Sequence, residues 1–338
     1  MTNARSVVAS SIICFLAAIA LVAAVWAARP MAPPSGQVPP ATLSPNLTLG
    51  IEDGDEKLMF GHISRADVDG RGNIYVLDYK FRRVSVFDSQ GSLLRQIAVP
   101  EGQGPREATE LNGLAVTSGG TMFINDMRKM IVYGPDGEYV RTFLVDFDVF
   151  KIGCPGTEEL VALGPHDGKI LHVFDTQGKL LASFGDTVTP PAKFESMKDM
   201  PMFNTPLQFN CSKDGRIFVM NPHEYEVSVF KDRKLESVIK GRNDDFKPIQ
   251  KMGHGFVSTA ADIVTSGDLI FVALSKMDPG AKRTADVFRA GRQVGSIDIA
   301  GIPLVADPQG MIYMAEGQAF PAKDEDFPKV VRYAVKKN

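Results

Sequence analysis

Histidine and cysteine are scarce in this chain of 338 residues, with five of the first and three of the second. Zinc sites and nucleophilic centres draw on these residues, and no pair of histidines here has metal-ligand spacing. The Gly-x-Ser-x-Gly elbow, the phosphate-binding loop and the dinucleotide fingerprint are all missing. There is no excess of basic charge either: the net charge is −3, which argues against nucleic acid as a partner. Composition is otherwise that of an ordinary globular protein, 44% apolar and 23% charged.

What the chain does have is a repeat. Six short apolar strands begin at Ile74, Met122, Leu160, Ile217, Ile270 and Ile312, spaced 38 to 57 residues apart. One aromatic ends the following strand in every copy: Phe87, Tyr133, Phe174, Phe230, Phe288 and Tyr333. Hairpin signals such as Ser89-Gln90-Gly91, Pro135-Asp136-Gly137 and Thr176-Gln177-Gly178 come next. Each copy therefore reads as a four-stranded propeller blade, for which 40–50 residues is the usual period. The expected fold is an all-β, six-bladed propeller over residues 46–338. Only five residues follow Tyr333, too few for a fourth strand, so residues 46–51 are expected to pair into the last blade and close the ring.

On the stretches Ala66 to Asp78 and Arg83 to Gly91 the chain resembles the NHL-type six-bladed propellers. Gly102-Gln103-Gly104-Pro105-Arg106-Glu107 is similar to a Gly-x-Gly-Pro-Gly-Glu-Phe loop of bacterial propellers, with Arg106 in place of a glycine and Ala108 in place of the aromatic. The resemblance implies the fold. It leaves function open, because some families of this fold are zinc-dependent lyases or calcium-dependent lactonases and others only bind.

Residues 7–28 are 22 uncharged residues, long enough to span a bilayer and longer than the apolar core of most signal peptides. We read them as an N-terminal transmembrane helix, a retained anchor that places the propeller outside the cytoplasm, with a cleaved signal as the alternative. Cys14 follows Ile13, which disfavours a lipoprotein site. Six prolines between residues 29 and 45 make an extended linker. Cys154 and Cys211 both lie six residues before their blade's first core residue. Symmetry-related side chains point the same way round a ring, so two buried free thiols are expected rather than a disulfide.

In a propeller the connections between blades and the turns between second and third strands share one face. All the long connections belong to that set: residues 100–112, 186–206, 240–258, 275–284 and 316–329. Long loops carry function more often than short ones. On this loop face, Lys80, Arg128, His166, His223 and Lys276 stand six residues beyond their markers, with Gln318 in the sixth copy. With Arg106 and His254 they form the candidate ligand-binding set, a basic ring suited to an anionic group. Ordinary solvated turns are the other reading, and Asp186, Asp199, Asp244 and Asp245 oppose the field. Asp78 and Asp126, four beyond their markers, are expected to accept hydrogen bonds from their turns rather than to ligate metal. Met197, Met200, Met202, Phe203, Phe246, Met252 and Phe256 call for packing of the long loops on each other or on a partner.

These features favour a membrane-anchored, non-catalytic propeller that binds an anionic small molecule, a glycan or an envelope protein. No cofactor is expected. The alternative is a metal-dependent lyase or hydrolase, with a divalent metal held near His166, His223 and His254. A structural part of an envelope complex is a third reading.

Overall fold

The computed structural model describes residues 39–206, 208–252, 255–257, 261–274, 282–318 and 327–338. The chain divides into Met1–Val38, which lies outside the described residues, and Pro39–Asn338, which holds all that follows. The apolar stretch 7–28 and Cys14 therefore fall outside the description. Among the described residues no helix is long and apolar enough to cross a membrane.

Six four-stranded antiparallel sheets follow one another along the chain. Blade 1 is built from Ile63–Val68, Ile74–Asp78, Arg83–Phe87 and Leu93–Ala98, from the innermost strand outward. Blades 2, 3, 4 and 5 repeat this order from inner strands Gly113–Val116, Lys151–Gly153, Gln208–Cys211 and Ala261–Ser266. Each inner strand lies against those of both neighbouring blades, and blade 6 returns to blade 1, so the ring is closed.

The apolar periodicity explains the stacking. In the second strand of blade 1, Ile74 and Val76 face blade 6 while Tyr75 and Leu77 face blade 2. A strand sandwiched between two sheets must be apolar on both faces, and Ile74–Asp78 is buried throughout. Six apolar clusters fill the six inter-blade interfaces. The aromatic column has a direct structural meaning: Phe87, Tyr133, Phe174, Phe230, Phe288 and Tyr333 lie opposite the six marker residues across the ladder. Their rings fill the widening gap between blades. The hairpins after them turn on glycine in blades 1, 2, 3 and 5, and on Asp232 and Arg233, both at positive φ, in blade 4. Gly178 has φ 86°, and a Cβ there would stand 2.5 Å from the Phe143 ring, so both backbone and packing exclude a side chain.

Blade 6 has three strands from the C-terminal end: Ile302–Ala306, Ile312–Glu316 and Lys329–Lys337. Its outermost strand is Ala41–Leu49, antiparallel to Lys329–Lys337. The expected closure by an N-terminal strand is found, with corrected limits. The strand starts at Ala41, not at residue 46, and takes up the end of the segment read as linker. Pro45 lies within it, at a register shift between Pro45 and Leu47. An outermost strand tolerates proline because one of its edges carries no ladder. Blades 6 and 1 are also joined by Gln318, whose side-chain amide donates to the carbonyl of Ile63 (2.9 Å) and accepts from its N–H (3.0 Å).

Candidate functional site

The turns between inner and second strands and the hairpins between third and fourth strands are short, and they form a plain face. The opposite face carries the long connectors. Asp78 organises it in blade 1, where its carboxylate accepts from the N–H groups of Gly61 (2.8 Å), His62 (3.0 Å) and Phe81 (3.1 Å). Asp126 does the same in blade 2 for Thr109 and Glu110, both at 3.0 Å. These carboxylates clamp the chain as it enters each inner strand.

The candidate ligand-binding residues sit in separate settings. Lys80 is exposed, its stem over Gly61. Arg106 is exposed and lies over the ring of Tyr139 (5.4 Å), on the outermost strand of blade 2. Arg128 is paired with Asp148 at 2.7 Å. His166 stacks on Phe147 and lies 3.5 Å from Asp167 and 3.8 Å from Asp146. His223 is buried, and its Nε2–H donates to the carbonyl of Phe203 (2.7 Å). No hydrogen bond or ion pair joins any two of these five. His254 and Lys276 lie outside the described residues. Among the described residues no three His, Cys, Asp or Glu side chains gather as metal ligands.

His172, beneath His166, is fully buried. Its Nε2 faces the carbonyl of Gly164 (3.0 Å) and must carry the proton, so Nδ1 accepts from the Ser183 hydroxyl (2.9 Å). Burial holds its pKa below the ordinary 6.5, with His166 adding to the effect and the Gly164 bond opposing it. In acid the unfolded chain takes up a proton that folded His172 resists, so stability is present above pH 6.5 and falls as pH drops below it. Urea midpoints measured from pH 7 to pH 5 should fall less steeply for His172→Gln than for the wild type. Parallel curves would remove this residue from the acid response.

The connector from blade 3 to blade 4 contains a 3-10 helix, Ala192–Met197, and a single turn of α-helix, Pro201–Asn204. Phe194 and Phe203 form a small core with Ile249 of the next connector, flanked by Met197. The two long connectors thus pack on each other. They are pinned to blade 4 by His223 and by the Ile249 N–H, which donates to Pro222 (3.0 Å). Phe246 stacks on Tyr225 (5.4 Å), whose hydroxyl donates to buried Asp286 (2.6 Å). Asn243 and Ser296 also donate to Asp286, both at 2.7 Å. Phe203→Ala should cost about 3–5 kcal/mol of local packing. Because this cluster lies apart from the blade cores, limited proteolysis within residues 187–206 should accelerate well before the global urea midpoint moves in proportion. A matched loss in both would show that connectors and blades unfold together.

A polar girdle inside the ring has no counterpart in the sequence repeat. Arg65, Gly113, Lys151, Gln208, Asp262 and Ile302 occupy one level, each paired across the ladder with the fourth residue counted from its blade's marker. Arg65, Lys151, Gln208 and Asp262 keep partial exposure although their strands are innermost, so they line the central channel. Lys151 Nζ donates to Gln208 Oε1 (2.9 Å). Burial, reinforced by the Arg65 charge, pushes the Lys151 ammonium down to about 8, and Asp262 partly offsets this. Towards the plain face, Lys213 of blade 4 reaches across to Asp67 of blade 1, Nζ to Oδ1 2.6 Å, both side chains buried. Cys154 and Cys211 lie at this depth as free, buried thiols. They belong to different interfaces, between blades 2 and 3 and between blades 3 and 4. Burial raises the pKa of both, which leaves them protonated and unreactive.

Compared with protein families, residues 53–252 match the DUF5128 profile, described as a 6-bladed beta-propeller. The chain belongs to this family. The match does not single out the NHL type among six-bladed propellers. Compared with curated proteins, the DUF5128 chain finds no match. Among solved structures it is similar to a protein of Bacteroides fragilis presumed from its name to be exported, with a TM-score of 0.59 at 10% identity over 89% of this chain and 98% of that one. A DUF4221 member from Bacteroides vulgatus gives a TM-score of 0.55 at 10% identity over 89% and 100%. The U3-55K structure gives 0.54 at 11% over 86% and 100%. At such identities these likenesses bear on the fold of the DUF5128 chain alone.

Proposed function

We propose that this protein is a binding propeller, held at the membrane through residues 7–28 with its blades outside the cytoplasm, that docks a glycan or an envelope protein on its loop face without catalysis. The observation that carries the reading is the asymmetry of the two faces. The plain face is all tight turns, whereas the loop face presents Tyr79, Phe81 and Met127, each 44% to 48% exposed, on the turns of adjacent blades 1 and 2. Exposed aromatics grouped on one elaborated face suit a docking role. Lys80, between the two aromatics and without an ion pair among the described residues, adds attraction for an acidic partner.

A photo-crosslinking residue placed at Phe81 in the full chain tests this in intact cells. A discrete adduct at Phe81 that is missing with the probe at Gln90, on the plain face, is the expected result. Equal labelling at both positions, or none at either, overturns the docking reading. Carbonate extraction of membranes tests the tether separately: the chain should stay with the membrane, and release into the soluble fraction would refute a retained anchor.

A further inference from the structure

We infer that the channel girdle is a binding site for a small oxyanion, a carboxylate or a phosphate group, held between Arg65 and Lys151. This site lies inside the ring and is independent of the docking surface on the loop face.

The argument rests on charge and geometry. Two cations stand at one level of the channel, on blades 1 and 3, and the residue between them on blade 2 is Gly113, packed against Ile152. Among the described residues neither Arg65 nor Lys151 forms an ion pair. Arg65 donates to the carbonyl of Ser64 (2.8 Å) and Lys151 to the amide oxygen of Gln208 (2.9 Å). Both hydrogen-bond partners are neutral, and the single Asp262 carboxylate does not balance two confined cations. The nearby Asp67 carboxylate is unavailable to them, being taken by Lys213. That pair also crosses the channel on the plain-face side of the girdle, so a ligand would enter from the loop face.

An oxyanion between the two cations would restore the balance, and a guanidinium fork with an ammonium is a common means of holding one. Gln208 has given its carbonyl to Lys151, and its NH2 remains as a third donor. Asp262 is the opposing group. It lowers the net charge of the girdle from +2 to +1. An anion beside Lys151 favours its protonated form, so binding near pH 8 is coupled to proton uptake, with Arg65 and Asp262 the other charged groups acting on this ammonium.

The test uses the full chain with 13C at the lysine ε-carbons, the Lys151 resonance being assigned by its loss in Lys151→Gln. Acetate and inorganic phosphate are titrated in parallel at constant ionic strength, with chloride as the reference. A saturable shift of the Lys151 resonance with acetate or phosphate, and a rise in its apparent pKa, are expected. The tighter of the two probes identifies the group as carboxylate or phosphate. Arg65→Gln should weaken binding by about tenfold or more, as loss of a charge-assisted hydrogen bond does. Asp262→Asn should tighten it, a change in the opposite direction that a merely damaged fold would not give. The inference is overturned if neither anion shifts Lys151 beyond the chloride reference, or if Asp262→Asn weakens binding.

Discussion

Replacing Lys213 with alanine should destabilise the propeller by about 3–5 kcal/mol, the usual result of stripping one partner from a buried ion pair. The size follows from the surroundings. Only 5% of the Lys213 side chain and 9% of the Asp67 side chain remain exposed, so water screens the pair little. Asp67 is also a structural acceptor: Oδ1 accepts from the Val68 N–H (2.8 Å) and Oδ2 from the Val116 N–H (2.7 Å). Lys213 donates in addition to the carbonyl of Val116 (3.2 Å). One ammonium from blade 4 thus ties together the inner strands of blades 1 and 2 on the far side of the ring. Without it, the Asp67 charge stays buried with only amide donors. Urea unfolding followed by circular dichroism measures the loss. The Asp67→Asn, Lys213→Met double variant should recover part of it, since no charge is then stranded. A loss under about 1 kcal/mol for Lys213→Ala would place the pair with screened surface bridges instead.

Removing residues 1–50 should abolish cooperative folding. The truncation takes away the whole strand Ala41–Leu49 and every ladder partner of Lys329–Lys337 on that side. Ala41 and Leu49 are buried, and Leu43 and Leu47 pack on the clusters either side of blade 6. Their burial is worth about 4–6 kcal/mol at the usual value per unit apolar area. A domain's entire stability is commonly about 5–15 kcal/mol. The bared edge would also offer unpaired backbone groups to other chains. Size-exclusion chromatography should show soluble aggregate in place of the intact chain's peak, and a peptide of residues 39–51 added during refolding should restore part of that peak. A truncated chain that melts within a few degrees of the intact one would show that closure is dispensable.

The features readable in the sequence are those that the fold imposes six times. Each marker has to be apolar because it lies between two sheets, and each aromatic opposite it has to fill the same wedge, so the columns from Ile74 to Ile312 and from Phe87 to Tyr333 carry the architecture. Packing of the long connectors on each other was legible to the extent that Phe203 had to be buried somewhere. The girdle was not legible, because its six positions hold Arg, Gly, Lys, Gln, Asp and Ile and share no residue type. The turn after the inner strand of blade 5 also contains one residue fewer, so Thr265 rather than Val264 lies opposite Ile270. That slip moves Asp262 out of column when positions are counted from the markers. The basic turn column fixes positions and not side-chain settings. A shared position on a turn does not fix the direction of a long side chain, and Arg128 finds a local partner in Asp148, while Arg106, outside that column, lies over Tyr139.

Ring closure by the first strand also has a consequence for biosynthesis. Leu49 pairs with Val330 and Ala41 with Lys337, so the first segment of the propeller to be made needs the last one. At roughly 5–20 residues per second of synthesis, the opening strand waits about 15–60 s for its partner. During that interval the intermediate blades can form in order, each against the one before, while blade 1 keeps one side uncovered. The propeller keeps an unpaired edge until Lys329–Lys337 is made, and protection by chaperones would matter most up to that point.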